Sequence, residues 1–153
     1  MANTYSQIYI QIVFAVKGRE NLVLEKNREA LEKYICGIVS GLGVKVMAIY
    51  CMPDHTHLFV SIKPDIRLSD LVRDVKSNSS KWMNENKKTN FRFSWQEGYG
   101  AFSYSKSQKA QVIHYVLNQA EHHKKKTFRE EYIEFLEKFE IAYDEKYLFE
   151  WIE

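Results

Sequence analysis

The chain has 153 residues, of which 45% are hydrophobic and 14% aromatic. This composition is sufficient for a substantial core, and we expect one domain. It contains no run of about 18 apolar residues that would span a membrane. The N-terminal residues lack the basic segment and cleavage site of a secretory signal, so we expect a cytoplasmic protein. Cys36 and Cys51 show neither disulfide nor metal-like spacing and are interpreted as buried hydrophobes.

The net charge of +2 conceals an uneven distribution along the chain. Residues 1–126 carry 19 basic against 11 acidic side chains, whereas residues 127–153 carry 3 against 9. The body is therefore basic and the tail acidic. A basic body suits a ligand with a phosphate backbone, although such a surplus is also common in proteins that bind no nucleic acid.

The first half of the chain predicts the order β-α-β-β. Residues 7–17 alternate as a strand, with Gln11 on the side opposite the large apolar residues. A helix is predicted over 26–41 and a second strand over 44–52. A turn at Pro53 and Asp54 then leads into a strand whose apolar run extends over 58–62.

Two histidines lie at the beginning of this third strand. His55 and His57 are two residues apart, so a strand places both imidazoles on the same face. This spacing is compatible with metal ligands. The alternative is that one histidine caps the turn and the other packs against the sheet.

A second long helix is predicted over 68–86, followed by a polar loop and an aromatic strand or hairpin within 93–104. Trp95 and Phe102 are expected to be mostly buried, although exposed aromatic side chains here would suit stacking on unpaired bases. Basic side chains on the outer side of the helix are candidate contacts to a DNA backbone, and a solvated helix face is the alternative: Arg67, Arg73, Lys76 and Lys81.

A third helical pattern covers 107–126. Five residues form its apolar stripe: Val112, Ile113, Val116, Leu117 and Ala120. Tyr115 and Gln119 lie beside this stripe, one turn apart. Such a tyrosine is usually a packing residue. Lys124 and Lys125 suit a helix C-terminus and are further candidates for phosphate contact. The aromatic tail, 127–153, is expected to dock on its own domain or on a partner subunit.

The order of elements fits an α+β fold, a ferredoxin-like (RRM-like) sandwich in which an antiparallel sheet has helices packed on one face. The sequence has no repeat, no low-complexity segment and no proline-rich linker.

Three separated motifs resemble one family, namely PDHTHLFV at 53–60, WQEGYGAFSYSKSQ at 95–108 and VIHYVLNQAEHHKK at 112–125. Together they are similar to the small single-tyrosine transposases of the insertion-sequence-200/605 type, including their REP-associated relatives. The resemblance covers nearly the whole chain. It implies the ferredoxin-like fold, with a catalytic domain over 1–126 and an acidic C-terminal extension over 127–153.

The resemblance also implies the roles of individual residues. Tyr115 would be the nucleophile, and His55, His57 and Gln119 would hold a divalent metal, Mg²⁺ or Mn²⁺. The chain departs from the family at Thr56, where a bulky hydrophobe is usual. It also departs at Gln11, near which members often carry a histidine.

The implied reaction is metal-dependent cleavage of single-stranded DNA. Tyr115 would form a 5′-phosphotyrosine link and release a 3′-hydroxyl, and a second 3′-hydroxyl would rejoin the ends without a nucleotide cofactor. Members of the family act as homodimers and recognise hairpins near element ends. Two alternatives stay open at this point: a DNA-binding or regulatory protein that no longer cleaves, and a metal-binding structural domain.

Overall fold

The computed structural model describes residues 3–152. Residues 1 and 2 of the predicted catalytic domain and residue 153 of the predicted extension lie outside the described residues. The strands are β1 (Tyr9–Ala15), β2 (Lys45–Cys51), β3 (His55–Ser61) and β4 (Gly100–Tyr104). The helices are α1 (Glu25–Gly41), α2 (Leu68–Glu85), α3 (Lys109–Leu117), α4 (Gln119–His122) and α5 (Phe128–Lys138). Short 3₁₀ turns cover Arg19–Asn21, Lys106–Gln108 and Glu145–Tyr147.

The four strands form one antiparallel sheet in the order β2-β3-β1-β4. Together with α1 and α2, this is the ferredoxin-like arrangement predicted from the sequence. The strand expected within 93–104 is shorter than the aromatic run suggests. Only Gly100–Tyr104 joins the sheet, and Trp95 makes an isolated bridge with Val16.

The core on the first face of the sheet lies under α1 and α2. The strands contribute side chains such as Phe14, Leu58 and Val60, which pack against Leu31 of α1 and Leu71 of α2. Trp95 also packs here and, like Phe102 on the opposite face, is buried as expected. The prediction of helices on one face is confirmed for this pair.

The opposite face carries a second layer that the sequence prediction did not include. Val112 and Val116 of α3 pack on Phe59, and α5 packs on Val13 and Ala15. The sheet is therefore covered on both sides. Strands β1 and β3 are buried along almost their whole length, and they present apolar residues to both faces of the sheet. Both faces therefore need a covering layer.

The tail docks on its own domain and forms much of this second layer. The side-chain amide of Gln96 donates to the Glu150 carbonyl oxygen at 2.7 Å and accepts from the Glu150 backbone NH at 2.7 Å. Tyr132 of α5 lies over Gly100, where any side chain would collide with the tyrosine ring. Helix α5 begins with a capping box in which Thr127 accepts from the Glu130 backbone NH.

The helix predicted over 107–126 is interrupted. Asn118 has φ −102° and ψ 21°, which ends α3, and α4 begins at the next residue. Leu117, just before the break, is exposed, whereas Gln119, just after it, is fully buried.

Candidate active site

The two strand histidines point to the face of the sheet that carries α3 and α5, and both are fully buried. His55 Nδ1 lies 2.7 Å from Asp54 Oδ1, and His57 Nδ1 lies 2.6 Å from Gln11 Oε1. Both partners are hydrogen-bond acceptors, so each Nδ1 donates and each Nε2 is directed to the interior. Gln11 thus orients His57, and its own NH₂ group donates to the Tyr104 hydroxyl at 3.0 Å.

A third histidine and a carboxylate complete a cluster with this pair. His123 Nδ1 donates to the Lys126 carbonyl oxygen at 2.8 Å, which directs its Nε2 to the same point. Glu131 Oε1 lies 2.9 Å from His57 Nε2, 3.1 Å from His123 Nε2 and 3.5 Å from His55 Nε2. One ligand atom from each of these four residues falls within 4.8 Å of every other.

The donor set fits a divalent cation. His55 Nε2 is buried without a hydrogen-bond partner, and it faces the carboxylate. His57 and His123 each have an acceptor at both ring nitrogens. Such an arrangement is satisfied when Nε2 carries a second proton or binds a metal. Ligand atoms about 2.1 Å from one ion lie roughly 3.4 Å apart in a tetrahedral set, close to the distances of 2.9–3.5 Å between Glu131 Oε1 and the three Nε2 atoms.

The electrostatics of the cluster follow from burial and mutual charge. Burial lowers the pKa of His57, despite the nearby Glu131 carboxylate. Burial also acts to lower the pKa of His55, but the hydrogen bond to Asp54 and the nearby Glu131 carboxylate outweigh it and set the pKa at about 9. Burial opposes ionisation of Glu131, yet the charge of His57 and the hydrogen bond from His123 lower its pKa. The carboxylate is therefore ionised, and a metal binding at His55 would displace a proton.

Tyr115 lies beside this cluster in the same chain. Its hydroxyl donates to Glu131 Oε2 and lies 3.3 Å from His122 Nε2. The centre of its ring is 5.9 Å from that of His57. Burial and the charge of Glu131 raise the pKa of Tyr115, so the phenol is protonated at neutral pH.

Gln119 reaches the cluster through His123. Its Oε1 atom is placed 2.8 Å from His123 Nε2, and its amide nitrogen donates to the Tyr115 carbonyl oxygen at 3.3 Å. The sequence-predicted set of Tyr115, His55, His57 and Gln119 is thus brought together. Whether Gln119 itself contacts a metal stays a prediction.

Tyr115 is accessible from solvent through two pockets. One, of about 270 Å³, is lined by residues that include Gln108, Gln111, Glu131 and Lys138. The other, of about 570 Å³, also contains Tyr115 and is lined in part by Glu121, Lys125 and Lys126.

The candidate DNA contacts on α2 lie outside both pockets. Arg67 is exposed at the beginning of the helix, and Arg73 and Lys81 each pair with acidic residues of the same helix. Such exposed pairs are weak and leave both side chains available. Lys76 differs, because Nζ donates to the carbonyl oxygens of Gln96 at 2.8 Å and Gly98 at 2.6 Å. The remaining two candidates are Lys124 and Lys125. Lys124 pairs with Glu121 on the surface, and Lys125 lines the second Tyr115 pocket.

Sequence reasoning did not identify His123 or Glu131 as part of the site. Glu131 is one of nine acidic residues in the tail, and its neighbours give no sign that it is buried. Its position one helical turn, four residues, before Phe135 is the one signal that it lies on the inner face of α5.

Comparison with known proteins places this arrangement in context. A family described as "Transposase IS200 like" matches residues 4–119. The ISDra2 transposase TnpA of Deinococcus radiodurans is 25% identical over 118 residues, which is 74% of this chain and 84% of that protein.

Two solved structures share the fold. A predicted transposase from Deinococcus radiodurans superposes with a TM-score of 0.61 at 21% identity, covering 78% of this chain and 95% of the other. A REP-associated tyrosine transposase bound to a REP hairpin superposes with a TM-score of 0.60 at 13% identity, covering 80% and 73%. None of the helices described in residues 3–152 is long and apolar enough to cross a bilayer.

Proposed function

Because the chain belongs to the IS200-like transposase family, whose members cleave and rejoin DNA, we propose that it does so by a metal-dependent reaction on single-stranded DNA with Tyr115 as the nucleophile. The observation that carries this proposal is the position of the Tyr115 hydroxyl against Glu131, the carboxylate on which three imidazoles converge. A nucleophile held next to a cation site is the arrangement that phosphoryl transfer requires.

The protein's own residues account for the steps around the nucleophile. Tyr115 Oη gives up its proton and attacks the scissile phosphorus, the bond to the 3′-oxygen breaks, and a 5′-phosphotyrosine link forms. The departing 3′-oxygen takes up a proton and leaves as the 3′-hydroxyl. The energy of the phosphodiester is kept in that link, so a second 3′-hydroxyl rejoins the ends without a nucleotide cofactor. Glu131 orients the hydroxyl before attack, and α3 fixes the ring. When bound, a divalent metal would polarise the scissile phosphate and offset charge on its oxygens.

The donor set bears on the choice of metal. Of the two ions predicted, Mg²⁺ prefers oxygen ligands and retains its waters, whereas imidazoles suit transition metals. We therefore propose Mn²⁺ ahead of Mg²⁺ for a site containing His55 and His57. Gln119 is retained as a predicted ligand that would lie at the border of the site.

The proposed substrate is single-stranded DNA with hairpins. Its support is the REP-associated transposase of the same fold, which was solved bound to a REP hairpin. Lys125 lines a pocket that contains Tyr115, so among the predicted DNA contacts it is the one placed next to the proposed nucleophile. We retain Arg67, Arg73, Lys81 and Lys124 as proposed backbone contacts, and Lys76 as one that also fastens a loop.

Three further parts of the proposal follow from the family. We propose a homodimer, as the resemblance implies, although Tyr115 and the histidines already meet within one chain. We propose a cytoplasmic location because DNA is the proposed substrate. We propose 1–126 as the catalytic domain and 127–153 as its extension, with one ligand candidate, Glu131, in the extension.

The test is covalent capture of DNA. The protein is incubated with labelled single-stranded DNA from the flanks of its own gene, with Mn²⁺ or EDTA, and the products are separated under denaturing conditions. We expect a protein-DNA adduct that requires metal and is absent in Tyr115→Phe. Tyr143→Phe is the matched control, because Tyr143 is exposed and lines neither Tyr115 pocket, so the adduct should remain intact.

An adduct that persists in Tyr115→Phe contradicts the assignment of the nucleophile. Hairpin binding without any adduct, in the wild type and with either metal, would favour the non-cleaving DNA-binding protein. Metal binding that raises the melting temperature without any DNA affinity would favour the structural domain.

A further inference from the structure

Half of the side chains that converge at the candidate metal centre come from outside the matched family region. The match ends at residue 119, whereas His123 follows α4 and Glu131 lies in α5. Both belong to the segment that covers the second face of the sheet. Their position therefore depends on the docking of that segment.

The hydrogen-bond pattern indicates that the cluster is constructed around a cation. All three imidazoles have their Nδ1 atoms fixed, by Asp54, Gln11 and the Lys126 carbonyl oxygen respectively. Ligating histidines in proteins almost always have their second nitrogen fixed in this way. Three Nε2 atoms then face one carboxylate oxygen, and that convergence would be unfavourable for neutral rings without a positive charge among them.

We propose that His123 and Glu131 complete the metal centre together with His55 and His57, so that the C-terminal segment supplies two of the protein ligands. This inference rests on the proposed function for its biological role and on the cluster alone for its geometry. Glu131 binds through Oε1, while its Oε2 accepts the hydrogen bond from Tyr115. Gln119 Oε1 lies 2.8 Å from the same His123 Nε2 atom, so Gln119 stays the ligand predicted at the border of the site.

The alternative explanation of the same contacts gives the opposite result. Glu131 would merely neutralise buried histidines and occupy the space that a metal needs. In that case, removing the carboxylate opens the site and metal affinity stays equal or rises. If Glu131 is a ligand, affinity falls. The sign of the change therefore separates the two explanations.

In the experiment, the full chain is titrated with Mn²⁺. Binding is measured by calorimetry or by the electron paramagnetic resonance signal of free Mn²⁺. Glu131→Gln and Glu131→Ala are expected to weaken binding about 100-fold or more, since loss of outer-shell partners alone costs 10–100-fold. His123→Ala is expected to weaken it at least about 10-fold. Glu137→Gln, an exposed glutamate on the same helix, is the control and should match the wild type.

Circular dichroism and melting in EDTA establish that each variant is folded. A second measurement needs no variant: pulsed electron paramagnetic resonance of the Cu²⁺-loaded wild type counts the coordinated imidazoles. We expect three, and a count of two overturns the assignment of His123. Mn²⁺ binding in Glu131→Gln that equals or exceeds that of the wild type overturns the assignment of Glu131.

These outcomes are separable from the fate of the proposed function. If the Glu131 variants bind Mn²⁺ weakly and the wild type captures no DNA, the ligand set is supported and the transposase reaction is rejected. DNA capture by the wild type with unchanged Mn²⁺ affinity in the variants would do the reverse.

Discussion

Replacing Gly100 by alanine tests how closely α5 is seated on the sheet. A Cβ atom at this position would lie 2.7 Å from Tyr132 Oη and 2.8 Å from Tyr132 Cε1, well inside van der Waals contact. Over-packing of this kind costs about 1–3 kcal/mol. Alanine recovers roughly 0.5–1 kcal/mol over glycine in a strand. We therefore expect a net loss of about 1–2 kcal/mol, which lowers the melting temperature by about 3–6 °C in a chain of this size.

Gly37 provides a matched substitution with the opposite expected sign. It lies in the exposed part of α1, and a Cβ atom there has no heavy atom within 4 Å. Gly37→Ala should stabilise the protein by about 0.5–1 kcal/mol, because it removes backbone freedom from the unfolded chain without creating a contact. The pair of variants therefore separates packing from the intrinsic difference between glycine and alanine.

The assay is urea unfolding followed by circular dichroism, with Mn²⁺ affinity measured on the same samples. Tyr132 is adjacent to Glu131, so a displaced Tyr132 also moves the carboxylate away from the histidines. We expect Gly100→Ala to bind Mn²⁺ more weakly and Gly37→Ala to bind it normally. A Gly100→Ala protein as stable as the wild type would refute the packing argument, and normal Mn²⁺ affinity in a destabilised one would refute the link to the site.

Three other predictions concern the location of the nucleophile, alkaline stability and the tail. If Tyr115 acts on its own chain, mixing Tyr115→Phe with His57→Ala protein should give no DNA adduct, whereas an adduct from the mixture would establish exchange between subunits. Burial raises the pKa of Tyr132 from 10 to about 12. Its contribution to stability is thus present below pH 10 and lost as the pH rises towards 12, by about 3 kcal/mol in total. Tyr132→Phe should therefore reduce the fall of the urea unfolding midpoint with pH. An equal fall in the variant and the wild type would contradict the role of Tyr132 in alkaline stability. Gln96→Ala removes both hydrogen bonds to Glu150 and should cost about 1–3 kcal/mol, with faster proteolysis of the tail; equal protease resistance would show that the aromatic contacts alone retain it.

The sheet and its first helical layer could be predicted from the sequence because their signals are local. Alternation in β1 and the apolar spacing of α1 and α2 each depend on residues only a few positions apart. The pairing of His55 with His57 is also local, because the two-residue period of a strand fixes their common face. The resemblance to the family then added Tyr115 and Gln119, and the structure brings all four together.

The second layer and the full donor set were decided by tertiary contacts. Asn118 interrupts a helix that its flanking sequence would continue, and Gln119, just after the break, is fully buried. Glu131 lies 74 residues after His57 and touches it only because α5 crosses the face opposite α1 and α2. The sequence by itself determined a ferredoxin-like sheet that carries two imidazoles on one face. Which acidic residue would meet them depended on how an aromatic tail packs, since burial and not residue type distinguishes Glu131 from the other acidic residues of that tail.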